Sequence, residues 1–214
     1  MQAIQLDDTM QPASEEIRKA VKHLYSIAPQ FKGIEKVAGP LTVRRGTPTF
    51  ATLVRIVVGQ QLAIKAAASI YARLNSTISL TPQAMLKAKD STLAEAGLSK
   101  SKIATCLAIA QAIQDKDLVI EKLGAMSDDD IRTTLTKIRG IGSWTAEIFL
   151  LFCLSRLDAW PHSDLGLQLG YQSLCKLKER PDTRALLIIG EDFRPVRGAA
   201  AYLLWHYYRH LKSS

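Results

Sequence analysis

The sequence predicts an all-α protein. Apolar residues recur at helical spacing, for example at Ile17, Val21 and Leu24, and no segment shows the convincing alternation of a strand. Helix start signals precede many of these apolar segments. The chain has 214 residues, 47% of them hydrophobic, so it can bury a core. This length fits one large domain or two small helical lobes that share a cleft, with about ten helices in total.

The first helix is predicted to start after Ser14, which follows a terminal arm of residues 1–13. Ser14 is a favourable N-cap, and two acids in the next turn complement the helix dipole. Pro29 marks the end of this helix. Residues 31–48 are rich in glycine, proline and basic side chains without a long period, and we interpret them as a connecting segment.

A long helical stretch is predicted from Thr49 to Leu74, with an interruption at residues 59–61. A glycine and two glutamines inside an apolar helix are locally unfavourable. Either the helix breaks there, or another molecule approaches closely and needs polar groups. Further helices are predicted over residues 82–89, 91–96, 99–114, 127–135, 143–154, 164–174, 183–189 and 196–210.

The charge and cysteine content restrict the class of protein. There are 28 basic and 20 acidic residues, a net charge of +8, which favours a polyanionic partner and nucleic acid first. The 3 cysteines are odd in number and widely spaced, which excludes a disulfide framework and indicates a reducing compartment. They also cannot form a four-cysteine iron–sulfur or zinc site.

The sequence lacks the features of a membrane or secreted protein. No apolar run approaches the ~20 residues of a membrane helix, and the first residues lack the pattern of a signal peptide. We therefore expect no membrane partner. We expect a monomer that is cytoplasmic, at the nucleoid, if its source is prokaryotic, and nuclear if it is eukaryotic.

The most informative segment is a predicted hairpin at residues 135–146. Gly140 and Gly142 flank one apolar residue, and a new helix begins directly after them. The glycines permit unusual backbone angles and a close approach of another molecule. The free amides at the start of the second helix form an anion site suited to a phosphate, and Lys137 and Arg139 add positive charge. The alternative is an αα-hairpin with a glycine turn and no ligand.

This pattern resembles the helix-hairpin-helix motif of DNA-binding proteins, here over residues 128–154. The resemblance implies that backbone amides bind a DNA phosphate. It also implies that backbone carbonyls hold a monovalent cation, a structural Na⁺ or K⁺, and the matching carbonyls are those of Thr136, Ile138 and Ile141. Thr145, in the first turn of the second helix, belongs to the predicted DNA-binding set. No other cofactor is expected.

Further segments resemble the helix-hairpin-helix DNA glycosylase superfamily, in particular its alkylpurine branch, 3-methyladenine DNA glycosylase II. Asp164 matches the aspartate that follows the hairpin, at the start of the next helix. Residues 58–62 resemble the segment that fills the gap left by a flipped base, and residues 193–200 resemble the family's last helix. The resemblance spans residues 48–208. It implies a glycosylase domain at 14–214 with two helical lobes flanking a base-binding cleft, in the compact form without an N-terminal β domain.

The resemblance implies a monofunctional DNA glycosylase that flips alkylated purines, such as 3-methyladenine and 7-methylguanine, out of duplex DNA. It would hydrolyse their glycosidic bond in base excision repair. Taken alone, Asp164 is an ordinary first-turn acid; in the family it stabilises the positive charge on the sugar and can orient the attacking water. Trp144 stands where strand-cutting members commonly carry a Schiff-base lysine, so no lyase activity is expected.

Two alternative functions stay open at this stage. The same scaffold can act on deaminated or oxidised bases, and a helix-hairpin-helix protein can bind DNA without catalysis. Asp164 argues against the second alternative, because a protein that only binds DNA gains nothing from an acid that faces it.

Aromatic residues are candidates for the base-binding pocket, where a cationic base would stack on them. We assign Trp144, Trp160 and Phe50 to this substrate-binding set. Core packing is the equal alternative for Trp144, whereas Trp160 is favoured as a pocket residue because it lies in a predicted loop.

Gln60, Gln61 and Leu62 are candidates for intercalation into the space left by the flipped base. Extruding a base costs a few kcal/mol, and a wedge that fills the gap offsets part of that cost. The alternative is a polar kink that packs against a neighbouring helix. The sequence does not decide which of the three side chains inserts.

Three positions depart from the family pattern. Ser163 replaces an aspartate that usually precedes the catalytic one, and because serine is a good N-cap we expect the helix geometry to be retained. Ala63 replaces a common serine. Val196 stands where an aromatic residue often lines the pocket, which bears on the range of substrates.

Overall fold

The structure, a computed structural model, describes residues 10–213 and is mostly helical. The residues that the structure describes contain thirteen α-helices and one pair of short strands. In chain order these are β1 (Gln11–Pro12), α1 (Glu15–Ile27), α2 (Ile34–Ala38), β2 (Thr42–Val43), α3 (Phe50–Gly59), α4 (Ile64–Thr77), α5 (Pro82–Lys87), α6 (Asp90–Glu95), α7 (Lys100–Gln114), α8 (Ile120–Leu123), α9 (Asp128–Thr136), α10 (Ser143–Cys153), α11 (Leu165–Leu174), α12 (Thr183–Glu191) and α13 (Arg197–Ser213). Over residues 10–213, no helix is both long and apolar enough to cross a membrane.

The chain folds into two compact units. The first is formed by Gly46–Leu154, and the second combines the described residues before Gly46 with those from Ser155 onward. The all-α prediction is confirmed, with more helices than the expected ten because several, such as α2 and α8, have only one turn. Residues 1–9, most of the predicted terminal arm, lie outside the described residues.

The segments predicted as an arm and as a connecting segment contain regular structure. β1 and β2 pair antiparallel, with Gln11 opposite Val43. Residues 29–33 form a 3₁₀ helix, and α2 follows it directly. Leu41 and Val43 are buried, so apolar packing orders this part of the chain. Strands of two residues are too short for their alternation to be visible in a sequence.

The first unit is organised around α3, which packs against α4, α7 and α10. Leu53, Val54 and Val57 on this helix are completely buried. The predicted long helix does break, because α3 ends at Gly59 and α4 begins at Ile64. The glutamines that interrupt the apolar pattern therefore lie in a tight connection between two helices.

The second unit is organised around α13, which packs against α1, α2, β2 and α11. Its core contains an aromatic cluster in which the Phe193 ring meets Phe31 at 5.2 Å and Trp160 at 5.9 Å, both edge to face. Such pairs add to the apolar area that the rings bury. Tyr171 of α11 lies against Phe193 in this core at 6.2 Å, and Asp164 is the N-cap of the same helix.

Candidate functional site

The hairpin of the first unit is formed by the end of α9, a short turn and the start of α10. Gly140 has a φ of 87°, a left-handed conformation that favours glycine, and a Cβ there would overlap Thr105 on α7. Gly142 is different: its backbone is extended, with φ −97° and ψ −179°, and a Cβ there meets nothing within 4 Å. The protein's own packing therefore requires glycine at 140 but not at 142.

Gly142 is the N-cap of α10 and has no side chain with which to accept hydrogen bonds from the first amides of the helix. These amides, together with the positive end of the helix dipole, can bind an anion. Lys137 and Arg139 are exposed, whereas Ile138 and Ile141 are buried and anchor the turn. The hairpin thus combines an anchored backbone with two exposed positive charges.

The two helices of the hairpin are also joined by an ion pair. Arg132 on α9 donates from Nε to Oε1 of Glu147 on α10 at 2.6 Å, and from Nη1 to Oδ1 of Asp129 at 2.8 Å. Burial alone would lower the pKa of Arg132, but Glu147, Asp129 and Asp128 together more than offset this and raise the pKa of the guanidinium. Because Glu147 is only 7% exposed, this pair fixes the angle between the helices. A glutamate among the apolar residues of α10 is the sequence feature that could have indicated this ion pair.

The hairpin carbonyls predicted to hold a cation lie in the turn and at the end of α9. The Ile138 carbonyl accepts the Ile141 N–H at 3.0 Å, which uses one of its two lone pairs. The Thr136 residue is exposed at the end of α9. The donor set of neutral carbonyl oxygens is compatible with a monovalent cation, and the cation site stays a prediction.

Gln60 and Thr145 are placed differently from the prediction that they contact DNA. The Gln60 side chain is directed to the hairpin, where Nε2 donates to the Gly140 carbonyl at 3.2 Å and to Thr145 Oγ1 at 2.9 Å. Thr145 is 1% exposed. Its hydroxyl therefore lies inside the unit and accepts from Gln60, so the Thr145 side chain supports the hairpin rather than contacting DNA.

Gln61 and Leu62 lie in the connection between α3 and α4 and are both exposed. Gln61 has a φ of 55°, and Leu62 is 41% exposed. Their position agrees with the wedge prediction, which stays a prediction. The sequence did not distinguish them from Gln60, since all three are adjacent.

The candidate catalytic carboxylate lies in the second unit. Asp164 is the N-cap of α11, and its Oδ1 accepts from the Leu167 N–H at 3.0 Å and from Trp205 Nε1 at 2.9 Å. Gly166 leaves room for this pair, because a Cβ there would lie 3.0 Å from Asp164 Oδ1 and 3.2 Å from Trp205 Cδ1. Ser163 is not the N-cap, since Asp164 itself caps the helix.

Trp205 is a functional candidate that the sequence did not reveal. It lies on α13, 41 residues after Asp164, and only the packing of α13 against α11 brings the indole to the carboxylate. With two donors on Oδ1, the carboxylate has a fixed orientation. A charged group held in this way can stabilise positive charge without reorganising.

The aromatic residues predicted to line a pocket have different environments. Trp160 is 2% exposed, and its Nε1 donates to the Leu186 carbonyl at 2.9 Å, so it is a core residue of the second unit; the pocket assignment was wrong. Phe50 is 6% exposed at the start of α3, and its assignment to the base-binding pocket stays a prediction. Trp144 is half-buried at the second position of α10 and stays a candidate.

Comparison with known proteins gives consistent matches. The model of the HhH-GPD superfamily of base excision DNA repair proteins matches residues 54–192. The chain is 32% identical over 197 residues to DNA-3-methyladenine glycosylase 1 of Schizosaccharomyces pombe, covering 88% of this chain and 86% of the relative. A solved 3-methyladenine DNA glycosylase of the same yeast, in complex with abasic DNA, is similar in fold, with a TM-score of 0.81, 32% identity, and coverage of 87% of this chain and 95% of that one.

A second solved structure, a DNA-3-methyladenine glycosidase from Bacillus halodurans, has a TM-score of 0.71 and 29% identity and covers 100% of both chains.

Proposed function

We propose that this chain, which belongs to the HhH-GPD superfamily of base excision DNA repair proteins, flips alkylated purines out of duplex DNA and releases them by hydrolysis. The observation that carries the proposal is the Asp164 carboxylate, held at Oδ1 by Leu167 and Trp205. It stands in a chain whose relatives are named 3-methyladenine DNA glycosylases.

The hairpin is the proposed contact to the DNA backbone. The first amides of α10 would donate to a phosphate, and Lys137 and Arg139 would neutralise neighbouring phosphates. These contacts fix the register of the protein on the duplex without reading the sequence of bases. This suits an enzyme that must find a damaged base in any sequence.

A monovalent cation at the carbonyls of Thr136, Ile138 and Ile141 would supply positive charge next to the bound phosphate. The chain's own contribution is to direct these neutral oxygens, and the burial of Ile138 and Ile141 fixes two of them. The cation has no role in the chemical step that we propose.

Asp164 is the proposed catalytic residue. As the glycosidic bond breaks, positive charge builds on the sugar, and the carboxylate stabilises it and can orient the attacking water. An alkylated purine already carries a positive charge and leaves as a neutral base, so no separate acid is needed. Trp205 is a positioning residue, because its Nε1–H holds Oδ1.

We propose that the enzyme has no strand-cutting activity. Trp144 stands at the position of the lysine that forms a Schiff base in strand-cutting members, and an indole cannot form one. Trp144 is also the proposed stacking residue for the cationic base, since its side chain is half-buried near the start of α10.

Base release from methylated duplex DNA tests the proposed function. We expect free 3-methyladenine and 7-methylguanine, with abasic sites left in an uncut strand, and no protein–DNA complex trapped by borohydride. Chromatography of the released bases and gel electrophoresis of the DNA measure these outcomes. Duplexes with hypoxanthine or 8-oxoguanine serve as comparison substrates. Release of these bases without any release of alkylated purines would contradict the proposal, and a trapped complex would contradict the absence of lyase activity.

Binding to undamaged duplex DNA should depend strongly on salt. The logarithm of the affinity should fall linearly with the logarithm of the salt concentration, by about 0.9 for each phosphate neutralised. Lys137→Ala or Arg139→Ala should each reduce this slope by up to about one unit. Fluorescence anisotropy titrations at several salt concentrations measure it.

Lys19→Ala is the matched control for the salt experiment, because Lys19 is exposed and pairs with Glu15 on α1 at 2.9 Å. Its slope should equal that of the wild type. If both hairpin variants also keep the wild-type slope, the hairpin does not contact the DNA backbone.

A further inference from the structure

We propose that Gln60 is a positioning residue that joins the connection carrying Gln61 and Leu62 to the hairpin, so that a hairpin bound to phosphate holds these two side chains in place during base extrusion. The inference rests on the proposed function. It assigns Gln60 a different role from that of its two neighbours: it contacts the protein rather than the DNA.

The side chain of Gln60 spans the hairpin turn. Its Nε2 donates to the Gly140 carbonyl at 3.2 Å and to Thr145 Oγ1 at 2.9 Å, 80 and 85 residues along the chain. One acceptor precedes the N-cap Gly142 and the other follows it. A single amide group therefore holds both sides of the backbone segment whose N–H groups are the proposed phosphate site.

The backbone of Gln60 is held as well. Lys102 on α7 donates from Nζ to the Gln60 carbonyl at 2.9 Å and to the Val58 carbonyl at 2.7 Å. Partial burial lowers the pKa of Lys102, whereas its two hydrogen bonds to carbonyl oxygens favour the charged ammonium. Gln61 follows directly, so its position depends on how firmly Gln60 is held.

The helix α7 supports the connection and the hairpin together. Lys102 holds the end of α3, and Thr105, three residues later and hence on the same face, packs against Gly140. The connection, the hairpin turn and one turn of α7 therefore form a closed set of contacts. Return of the extruded base to the stack would displace the wedge residues. In this arrangement, the contacts between Gln60 and the hairpin oppose that displacement.

A double-mutant cycle tests the role of Gln60. Gln60→Met keeps the length of the side chain and removes its donors, and Leu62→Ala removes the proposed wedge. On a lesion opposite its normal partner, each should lower the single-turnover rate about tenfold, and the double variant should be no more than about threefold slower than the slower single variant. On the same lesion opposite an abasic site, Gln60→Met should stay within about threefold of the wild type. Gln60 does not act through the wedge if the rate losses of the two single variants multiply in the double variant. The same conclusion follows if Gln60→Met lowers the single-turnover rate by the same factor on both duplexes.

Amide hydrogen exchange of the free protein tests the link without reference to activity. Gln60→Met should accelerate exchange in residues 135–146, whereas Gln61→Met, an identical substitution of an exposed neighbour, should not. Unchanged exchange in the Gln60 variant would overturn the inference. A wild-type protein that releases no base, but whose hairpin responds to Gln60→Met in this way, would contradict the proposed function and leave the link supported.

Lys102→Met provides a second variant if Gln60→Met unfolds, which thermal unfolding would reveal. It removes the Lys102 hydrogen bond to the Gln60 carbonyl and leaves the Gln60 side chain itself unchanged. It should reproduce the selective loss on the paired lesion and the non-additivity with Leu62→Ala; an equal loss on both duplexes would overturn the inference.

Discussion

Asp164→Asn should lower the single-turnover rate of base release by about a thousandfold or more. An amide retains an oxygen that can cap α11 and accept from Trp205, so the fold and the DNA affinity should be preserved. It lacks the negative charge that stabilises the sugar as the glycosidic bond breaks. Rates with a labelled methylated duplex in excess enzyme, together with anisotropy titrations, separate the chemical step from binding.

Asp182→Asn is the matched control, since Asp182 caps α12 in the same unit and its Oδ1 accepts the Ala185 N–H at 2.7 Å. This substitution makes the same chemical change at another N-cap and should leave the rate unchanged. The single-turnover rate of Trp205→Phe should lie between those of Asp164→Asn and Asp182→Asn, because this substitution removes one donor to Oδ1 but keeps the negative charge. A near wild-type rate for Asp164→Asn would show that another group is catalytic.

Gly140→Ala should destabilise the protein by about 3 kcal/mol or more, whereas Gly142→Ala should change its stability by less than about 1 kcal/mol. Alanine at 140 would have to adopt φ 87° and would overlap Thr105. Alanine at 142 fits the extended backbone and the empty space around it. Denaturant unfolding measures the free energy of unfolding for both variants.

The order of the two variants should reverse for DNA binding when each is measured as folded protein. The Cβ of Gly142→Ala would occupy the space through which a phosphate must reach the first amides of α10, so its affinity should fall about tenfold. Adding Thr105→Ala to Gly140→Ala should restore part of the lost stability, since it removes two of the overlapping atoms. A Gly142→Ala variant with wild-type affinity would place the phosphate elsewhere.

Several features of the protein could be predicted because they depend on residues close together in the chain. The helix starts at Ser14 and Ser127 are confirmed, as each serine accepts a hydrogen bond from an amide three residues later. The hairpin was predicted for the same reason, since its glycines, apolar anchors and charges lie within 12 residues. The short helices of residues 29–38 and the two-residue strands β1 and β2 were missed because their signals are too brief.

The sequence by itself therefore determined the helical class, located the interruption at residues 59–61, and named the residues proposed to supply phosphate contacts and a carboxylate. Only the tertiary structure decided which of several residues of the same type are buried, exposed or in contact with the proposed site. Gln60 contacts the hairpin while Gln61 is exposed, and Trp160 is buried while Trp205 contacts Asp164. The physical reason is that helical periodicity and capping act over a few residues, whereas a side chain's partners are set by helix packing between distant segments.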